Sequence, residues 1–599
     1  MMQQVPFYNI DITGGFWQER QQTVIDKTVW AVYDRFKETG RIDTMDCQKH
    51  EIKPHIFWGS DVVKWMEGAA YILEKHPNEK LLALVNELVE MIQGGTKEDG
   101  YYNSYYNNPE VDAPRFSERN NHELYSSGHM FEAGVALQHA LGDDRLLQIC
   151  QRNADLIDRI FRQEDSAAFV TPGHEEIELA LVRLYKVTGN RRYLELSEYF
   201  VRQRGANSKD KPIGVDPDGS YIQAHVPLKE QQEAVGHAVR AVYLYCAIAD
   251  LALELGDADL KADAERLFDN IYNKKMYITG GIGSQPAGET FTMAYHLPNR
   301  TAYAETCAAL GLALFARRML MLTPDGRYGD AAERALYNGM ISGLSLDGEA
   351  FFYENPLEID HARLGMPKGH DHATQRKKVF NCSCCPPNLV RLIPSIADFI
   401  YTFDDDYLYV HQYMDNSGIA ANAAVTMKTA YPADGKVHVL FEGAQKLALR
   451  RPAWCSKVIT KQPYTEKLGY LYFDTNEVTI EYVMEPVFYI ASDAVHEDAG
   501  RVALMRGPIV YCLESQDQPA SVFRCRVDIT APVKVQTETF GGYPLLEAEG
   551  YVVPEQKALY APAAASAPME RCKLRYIPFY TFANRGEDDM QVWVLKSNL

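Results

Sequence analysis

The segment Asn381-Cys382-Ser383-Cys384-Cys385-Pro386-Pro387-Asn388 holds three of the chain's 11 cysteines within four residues, directly before two prolines. Proline has no backbone N–H, so the pair is excluded from a helix interior but can open a helix. A following proline also steers its predecessor out of the α region, which places Cys385 in an extended or turn conformation. The apolar run Leu389 to Phe403 then reads as a helix, with Cys384 and Cys385 at the positive end of its dipole. Thiols ionise more readily there, and adjacent thiolates repel unless a cation neutralises them. A bound metal answers that requirement.

The cluster supplies two or three ligands, so a tetrahedral site must find the rest elsewhere. Upstream, Tyr303-Ala304-Glu305-Thr306-Cys307 offers a carboxylate and a thiol two residues apart. That spacing points both side chains to one side of an extended segment but to different sides of a helix. The pair is therefore expected just ahead of the helix that runs through Leu310 to Leu322. Glu305, Cys307, Cys384 and Cys385 give three soft thiolates and one carboxylate, a set that suits zinc, although no standard zinc-finger spacing is present. Cys47, Cys150, Cys246, Cys455, Cys512, Cys525 and Cys572 are isolated and read as buried free thiols.

These residues must be positioned by a helical scaffold. Short polar turns separate paired apolar-periodic runs: 61–76 from 79–94, 123–141 from 145–162, 174–187 from 191–204, 233–255 from 259–274, and 305–322 from 328–344. The 387–403 helix and an amino-terminal one near 16–38 complete a sixth pair. Six α-hairpins of unequal spacing predict an (α/α)6 barrel over residues 13–404, whose helix ends and loops line a central cavity. Loops 95–122, 206–232, 275–304 and 345–384 exceed ordinary connection lengths and are expected to carry function. Beyond Tyr401, Val437, Val439 and Phe441 alternate with polar residues, as do Val478, Ile480 and Tyr482. This predicts antiparallel β-sandwich domains over 405–499 and 500–599. Residues 1–12 hold a strand that joins this β layer, and Ala561–Pro568 reads as a low-complexity loop.

Composition narrows the partners. A chain of 599 residues is too long for one core. Its formal charge of -20 argues against nucleic acid and anionic membranes. No apolar run approaches a bilayer span, and the amino terminus lacks the pattern of a signal peptide. An odd cysteine count with adjacent members does not suggest a disulfide framework, so a reducing, cytoplasmic setting is expected. The composition is compatible with a homo-oligomer.

Taken together the chain resembles glycoside hydrolase family 127, the β-L-arabinofuranosidases. The resemblance runs along nearly its whole length. It is carried by Phe57-Trp58-Gly59-Ser60-Asp61 with Lys64-Trp65, Gly128-His129, Gly288-Glu289, Glu305-Thr306-Cys307, Glu333-Arg334-Ala335-Leu336-Tyr337-Asn338 and, most specifically, Cys382-Ser383-Cys384-Cys385-Pro386-Pro387-Asn388. Leu449-Arg450-Arg451-Pro452-Ala453-Trp454 and Leu504-Met505-Arg506-Gly507-Pro508 look similar too. The resemblance implies an (α/α)6 barrel followed by β-sandwiches. It also implies a retaining exo-glycosidase that releases L-arabinofuranose from a small oligosaccharide or glycoconjugate.

Carried over by position, the family pattern implies Cys384 as nucleophile and Glu289 as acid/base. It puts Zn2+ on Glu305, Cys307, Cys384 and Cys385, and sugar contacts on His129, His174, His237 and Tyr353. Asp61 and Trp65 are candidates for the cavity wall, although Trp65 at helical spacing also suits the core. Glu333 reads as a residue behind the site or an exposed helix position. Two alternatives stay open: a related enzyme acting on another rare sugar, and a noncatalytic carbohydrate-binding protein with a structural zinc site.

Overall fold

The computed structural model describes residues 2–48, 52–213, 217–363, 374–562 and 568–597. Parts of the 206–232 and 345–384 loops, and most of the Ala561–Pro568 segment, lie outside the described residues. The helices are α1 (Gly15–Thr23), α2 (Val29–Glu38), α3 (Trp58–Lys75), α4 (Glu79–Gly95), α5 (Glu123–Leu141), α6 (Arg145–Asp158) and α7 (Ile177–Thr188). They continue with α8 (Arg191–Gln203), α9 (Ala238–Leu255), α10 (Ala258–Lys274), α11 (Thr306–Leu322), α12 (Gly326–Arg334) and α13 (Cys385–Leu392).

The turn chemistry read from sequence sets the hairpins. Asn78 caps α4 by accepting from the Leu81 amide at 3.0 Å, and Asp257 and Asp325 cap α10 and α12 in the same way. Gly142, Gly189 and Gly256 end α5, α7 and α9 in the left-handed region, where glycine has no Cβ to clash.

An inner ring follows from burial. Helix α9 is buried on nearly every face, whereas α8 and α10 bury only one. Helices α3, α5, α7, α9, α11 and α13 pack each on the next, and α13 returns to α3. That closure needs close approach. A Cβ added to Gly68 of α3 would lie 2.6 Å from the Val390 carbonyl oxygen of α13.

The structure corrects the expected 387–403 helix. Helix α13 stops at Leu392, ahead of Pro394, and a 3-10 turn at Ile396–Phe399 leads into strand Tyr401–Phe403. Cys385 is the first helical residue rather than extended, with Cys384 already at φ −67, ψ −31. A following proline disfavours the α region without forbidding it.

Two six-stranded sheets follow. One orders Gln3–Gln4, Tyr401–Phe403, Tyr407–Val410, Lys446–Arg450, Tyr470–Phe473 and Tyr464–Lys467; the other orders Val458–Ile459, Glu477–Tyr482, Lys436–Phe441, Ala423–Thr429, Asn416–Ala420 and Ile10–Ile12. The amino-terminal strands thus close one edge of each sheet. Val437, Val439, Phe441, Val478, Ile480 and Tyr482 all point into the core. The carboxy-terminal strands form one hydrogen-bonded set of ten, six in continuous order and four branching from it. It begins at Pro486, ahead of residue 500, because Pro486–Tyr489 pairs with Arg506 back to Ala503. Glu358–Ile359, from a long loop of the helical part, joins it by pairing with Met590–Gln591. Among the described residues no helix is long and apolar enough to cross a membrane.

Candidate active site

Five inner helices, α3, α5, α9, α11 and α13, present their N-cap residues to a cavity of about 330 Å3. Helix α11 begins at Thr306, immediately after Glu305 as its extended N-cap residue, so Cys307 falls in the first turn. The chain reaches that point through Ala304 at φ +39, a left-handed conformation that costs a non-glycine residue about 1–2 kcal/mol. Hydrogen bonds hold it. The Ala304 amide donates to the Gly283 carbonyl at 2.9 Å, and the Ala304 carbonyl accepts from Asn355 Nδ2 at 3.0 Å. The same pairing sets Tyr353 beside the helix start, since the Thr306 amide donates to the Tyr353 carbonyl at 2.9 Å. From the other side α13 delivers Cys384 as N-cap and Cys385 as its first residue.

Glu305, Cys307, Cys384 and Cys385 therefore converge, with one donor atom from each within 4.8 Å of the others. Cys307 Sγ lies 3.4 Å from Cys384 Sγ and 3.1 Å from Cys385 Sγ; those two sulfurs are 3.8 Å apart. Glu305 Oε1 lies 3.3 Å from Cys384 Sγ and 3.5 Å from Cys385 Sγ. A tetrahedral ion with metal–sulfur bonds of about 2.3 Å separates its sulfurs by roughly 3.8 Å and sulfur from oxygen by roughly 3.5 Å. The donor set therefore fits a small divalent cation.

Titration behaviour points the same way. Burial, then the charge on Cys384, pushes Glu305 well above the carboxylate range. Burial, then hydrogen bonding with Cys307, pushes Cys385 well above the thiol range. For Cys307 burial acts upward, but hydrogen bonds from Cys384 and Cys385 outweigh it and hold the thiol below its ordinary value. Without a cation the group cannot carry all its charges at once. Asn388, one turn into α13, donates from Nδ2 to Cys307 Sγ at 3.1 Å, and Tyr303 donates to Glu305 Oε2 at 3.0 Å.

Glu289 stands in a loop at φ +59, after Gly288 at φ +74. Its Oε2 is 2.6 Å from His237 Nε2. His237 is the N-cap of α9 and its Nδ1 accepts the Arg240 amide at 3.3 Å. An accepting Nδ1 leaves the proton on Nε2, so the neutral ring donates to Glu289. Burial lowers the His237 pKa, against the pull of Glu289. His174, with Nδ1 3.0 Å from the Glu175 carbonyl, is likewise held well below its ordinary value by burial.

The cavity brings together Cys384, Glu289, Glu305, Cys307, His174, His237 and Tyr353, with Asp61 in its wall as expected. Two readings change, and of the two alternatives for Trp65 the core one holds. His129 does not line the cavity: this fully buried side chain sits behind Tyr125, its Nδ1 3.0 Å from Glu176 Oε1. Trp65 is core, donating from Nε1 to the Val29 carbonyl at 2.7 Å. Glu333 lies buried at the junction with the β region, where it accepts from Arg450 Nη2 at 2.6 Å.

His122, Tyr125, Tyr221 and Arg240 line the cavity and were not singled out from sequence. His122 is the instructive one. It is the N-cap of α5, left-handed at φ +56, and burial lowers its pKa to about 3. Its signal was its place at a helix start, as at His237. His129 lies roughly two turns, or about 10 Å, further down the same helix.

A model of the GH127 β-L-arabinofuranosidase catalytic domain matches residues 9–398, and a model of the glycoside hydrolase family 127 C-terminal domain matches residues 486–595. The chain belongs to glycoside hydrolase family 127. The non-reducing end β-L-arabinofuranosidase of Bifidobacterium longum subsp. longum is 34% identical, over 98% of this chain and 99% of that protein. A crystal structure of a GH127 β-L-arabinofuranosidase from Geobacillus stearothermophilus T6 is 38% identical with a TM-score of 0.92, covering 98% of this chain and all of that one. A second solved GH127 β-arabinofuranosidase is 32% identical with a TM-score of 0.90, covering 100% of this chain and 98% of that one. The protein is thus a glycoside hydrolase, and its converged Glu/Cys cluster is compatible with metal binding.

Proposed function

We propose that this family 127 enzyme is a retaining exo-glycosidase that releases L-arabinofuranose from the non-reducing end of β-L-arabinofuranosides. In this reading the closed ring of inner helices is the inner wall of an (α/α)6 barrel, and the following sheets form β-sandwich modules. Eleven unpaired cysteines suit the reducing cytoplasm expected for it. The observation that carries the proposal is the asymmetry of the sulfur cluster. Cys307 and Cys385 are buried, whereas Cys384 is partly open and faces the cavity that Glu289 also lines. A site built only to hold a metal has no need of an open sulfur or a spare carboxylate.

Glu305, Cys307, Cys384 and Cys385 would hold zinc. Bound there, zinc supplies the positive charge that keeps the thiols ionised. Cys384 Sγ attacks the anomeric carbon, the bond to the leaving oxygen breaks, and Glu289 gives that oxygen a proton. Glu289 then takes a proton from water as the water displaces sulfur. Two inversions retain the configuration. His237 Nε2–H orients the Glu289 carboxyl through both steps. A cavity near the lower end of the roughly 300–1,000 Å3 found for small-ligand sites suits a single terminal sugar. His122, His174 and Tyr353 are in reach of its hydroxyls.

An L-arabinofuranose analogue carrying a haloacetamide at the anomeric position tests the assignment. Peptide mapping is expected to find the label on Cys384. A label on a carboxylate would restore a two-carboxylate mechanism.

A further inference from the structure

Cys382 is the cysteine of the cluster that the proposed chemistry leaves unused. It is half-buried and lines the same cavity as Cys384. Both thiols rest on one phenol: Tyr353 Oη lies 3.6 Å from Cys382 Sγ and 3.4 Å from Cys384 Sγ. The chain bends at Asn381–Cys382. Residues two apart are separated by at most about 7 Å between Cα atoms, and a bend brings them into the roughly 4.4–6.8 Å range that a disulfide occupies.

From this arrangement we infer that Cys382 is a resolving thiol that captures an oxidised Cys384 as a reversible disulfide, with hydrogen peroxide as the oxidant. The inference rests on the reading of Cys384 as the cavity thiolate. Small oxidants enter through the cavity, where Cys384 is the accessible ligand while Cys307 and Cys385 are buried. The Cys384 sulfur gives an electron pair to one peroxide oxygen, the O–O bond breaks, and hydroxide leaves, forming a sulfenic acid. The Cys382 sulfur, giving up its proton, then attacks the Cys384 sulfur. The S–S bond forms, the S–O bond breaks, and the departing oxygen leaves as water. Two thiols are oxidised and one peroxide is reduced to two waters. Unlike Cys307 and Cys385, Cys382 is free to do this while the other ligands hold the metal. The disulfide removes a nucleophile and a metal ligand together, and a dithiol returns both. Without a neighbouring thiol, the sulfenic acid advances to an irreversible sulfinic acid.

The metal-loaded protein is treated with equimolar hydrogen peroxide, blocked with an alkylating agent and mapped by mass spectrometry, with released zinc read by a chromogenic chelator. The expected result is a Cys382–Cys384 disulfide, zinc release, and activity that dithiothreitol restores. In Cys382→Ser, Cys384 is expected to carry two added oxygens, and the restored fraction, relative to that variant's own starting activity, falls at least tenfold. A disulfide joining Cys307 to Cys385 or Cys384 to Cys385 instead, or full recovery in Cys382→Ser, overturns the inference. The linkage is read by mass, independently of turnover. A Cys382–Cys384 disulfide that leaves activity intact would refute Cys384 as nucleophile while leaving the redox site standing.

Discussion

Replacing Glu289 by glutamine separates proton transfer from mere positioning. Glutamine keeps the shape and an oxygen that still accepts from His237 Nε2, the contact that is 2.6 Å in the parent. It has no proton to give and none to take. If Glu289 served only to orient its neighbours, the loss would be that of a charge-assisted hydrogen bond, about 1.5–3 kcal/mol. That corresponds to about 10- to 150-fold, equal for every leaving group. General acid help is worth about 10²–10⁴-fold, and it counts most where the leaving oxygen is a poor anion. The glycosylation step of Glu289→Gln should therefore fall by about 10²–10⁴-fold for alkyl and sugar aglycones and far less for a nitrophenolate. Deglycosylation needs the same group as base, so with the activated substrate the sugar should accumulate on Cys384, visible by intact mass. Azide needs no base and should restore turnover, giving a glycosyl azide of retained configuration. A uniform loss across leaving groups, with no trapped sugar and no azide rescue, would refute the acid/base assignment.

Purified protein should hold about one zinc per chain by elemental analysis. Cys307→Ser and Cys385→Ser should lower zinc and activity together, whereas Cys150→Ala, a buried thiol far from the cluster, should change neither. His122→Ala should cost about 1–3 kcal/mol in kcat/KM, or about 5- to 150-fold, with a small change in Tm; His129→Ala should reverse the pattern, lowering Tm more than turnover, because His129 packs against Glu176 behind the cavity. Arg450→Met leaves Asp330 and Glu333 buried without their cation, at a cost of about 3–5 kcal/mol. That loss should be larger at pH 8 than at pH 5 in thermal melts. Burial raises the Asp330 pKa to about 6, so acid protonates it and relieves the unpaired charge.

The helical hairpins were legible because their signals are local. Each lies in a capping residue or a left-handed glycine beside an apolar-periodic run, as at Asn78 and Gly142. The Glu/Cys cluster was legible for a similar reason. Two short motifs each deliver a pair of donors at a helix start, and only their meeting is long-range. What failed was set by distant contacts. Helix α13 ends early because Pro394 and the strand at Tyr401–Phe403 redirect the chain toward Gln3–Gln4. Glu358–Ile359 joins the carboxy-terminal sheet by pairing with Met590–Gln591 across more than two hundred residues, which no alternation pattern encodes. His122 went unremarked because it stands one residue ahead of the predicted 123–141 helix, on which His129 lies. Which turn faces the cavity depends on where the ring opens.

The charge balance of the cavity ties fold to chemistry. Three thiols, Glu305 and Glu289 meet in a space where Arg240 is the cationic lining residue, and Arg240 is already directed to the Gly173 carbonyl and over the Tyr221 ring. Arg391, deeper in the ring, is taken by Glu67 at 2.9 Å and Glu132 at 2.6 Å. It reaches the cluster only through Asn388, donating to its Oδ1 at 2.8 Å. The starts of α11 and α13 add positive dipole ends, each worth about half a charge. Side chains and dipoles together fall short of the negative charge that ionised ligands would carry, and the difference is what a divalent ion supplies. Burial, with the Arg240 charge beside it, is what holds the histidines of the cavity neutral. A charged imidazole would compete for the cluster, whereas a buried neutral ring, as at His122 and His174, can donate to and accept from hydroxyls without drawing charge away from Cys384.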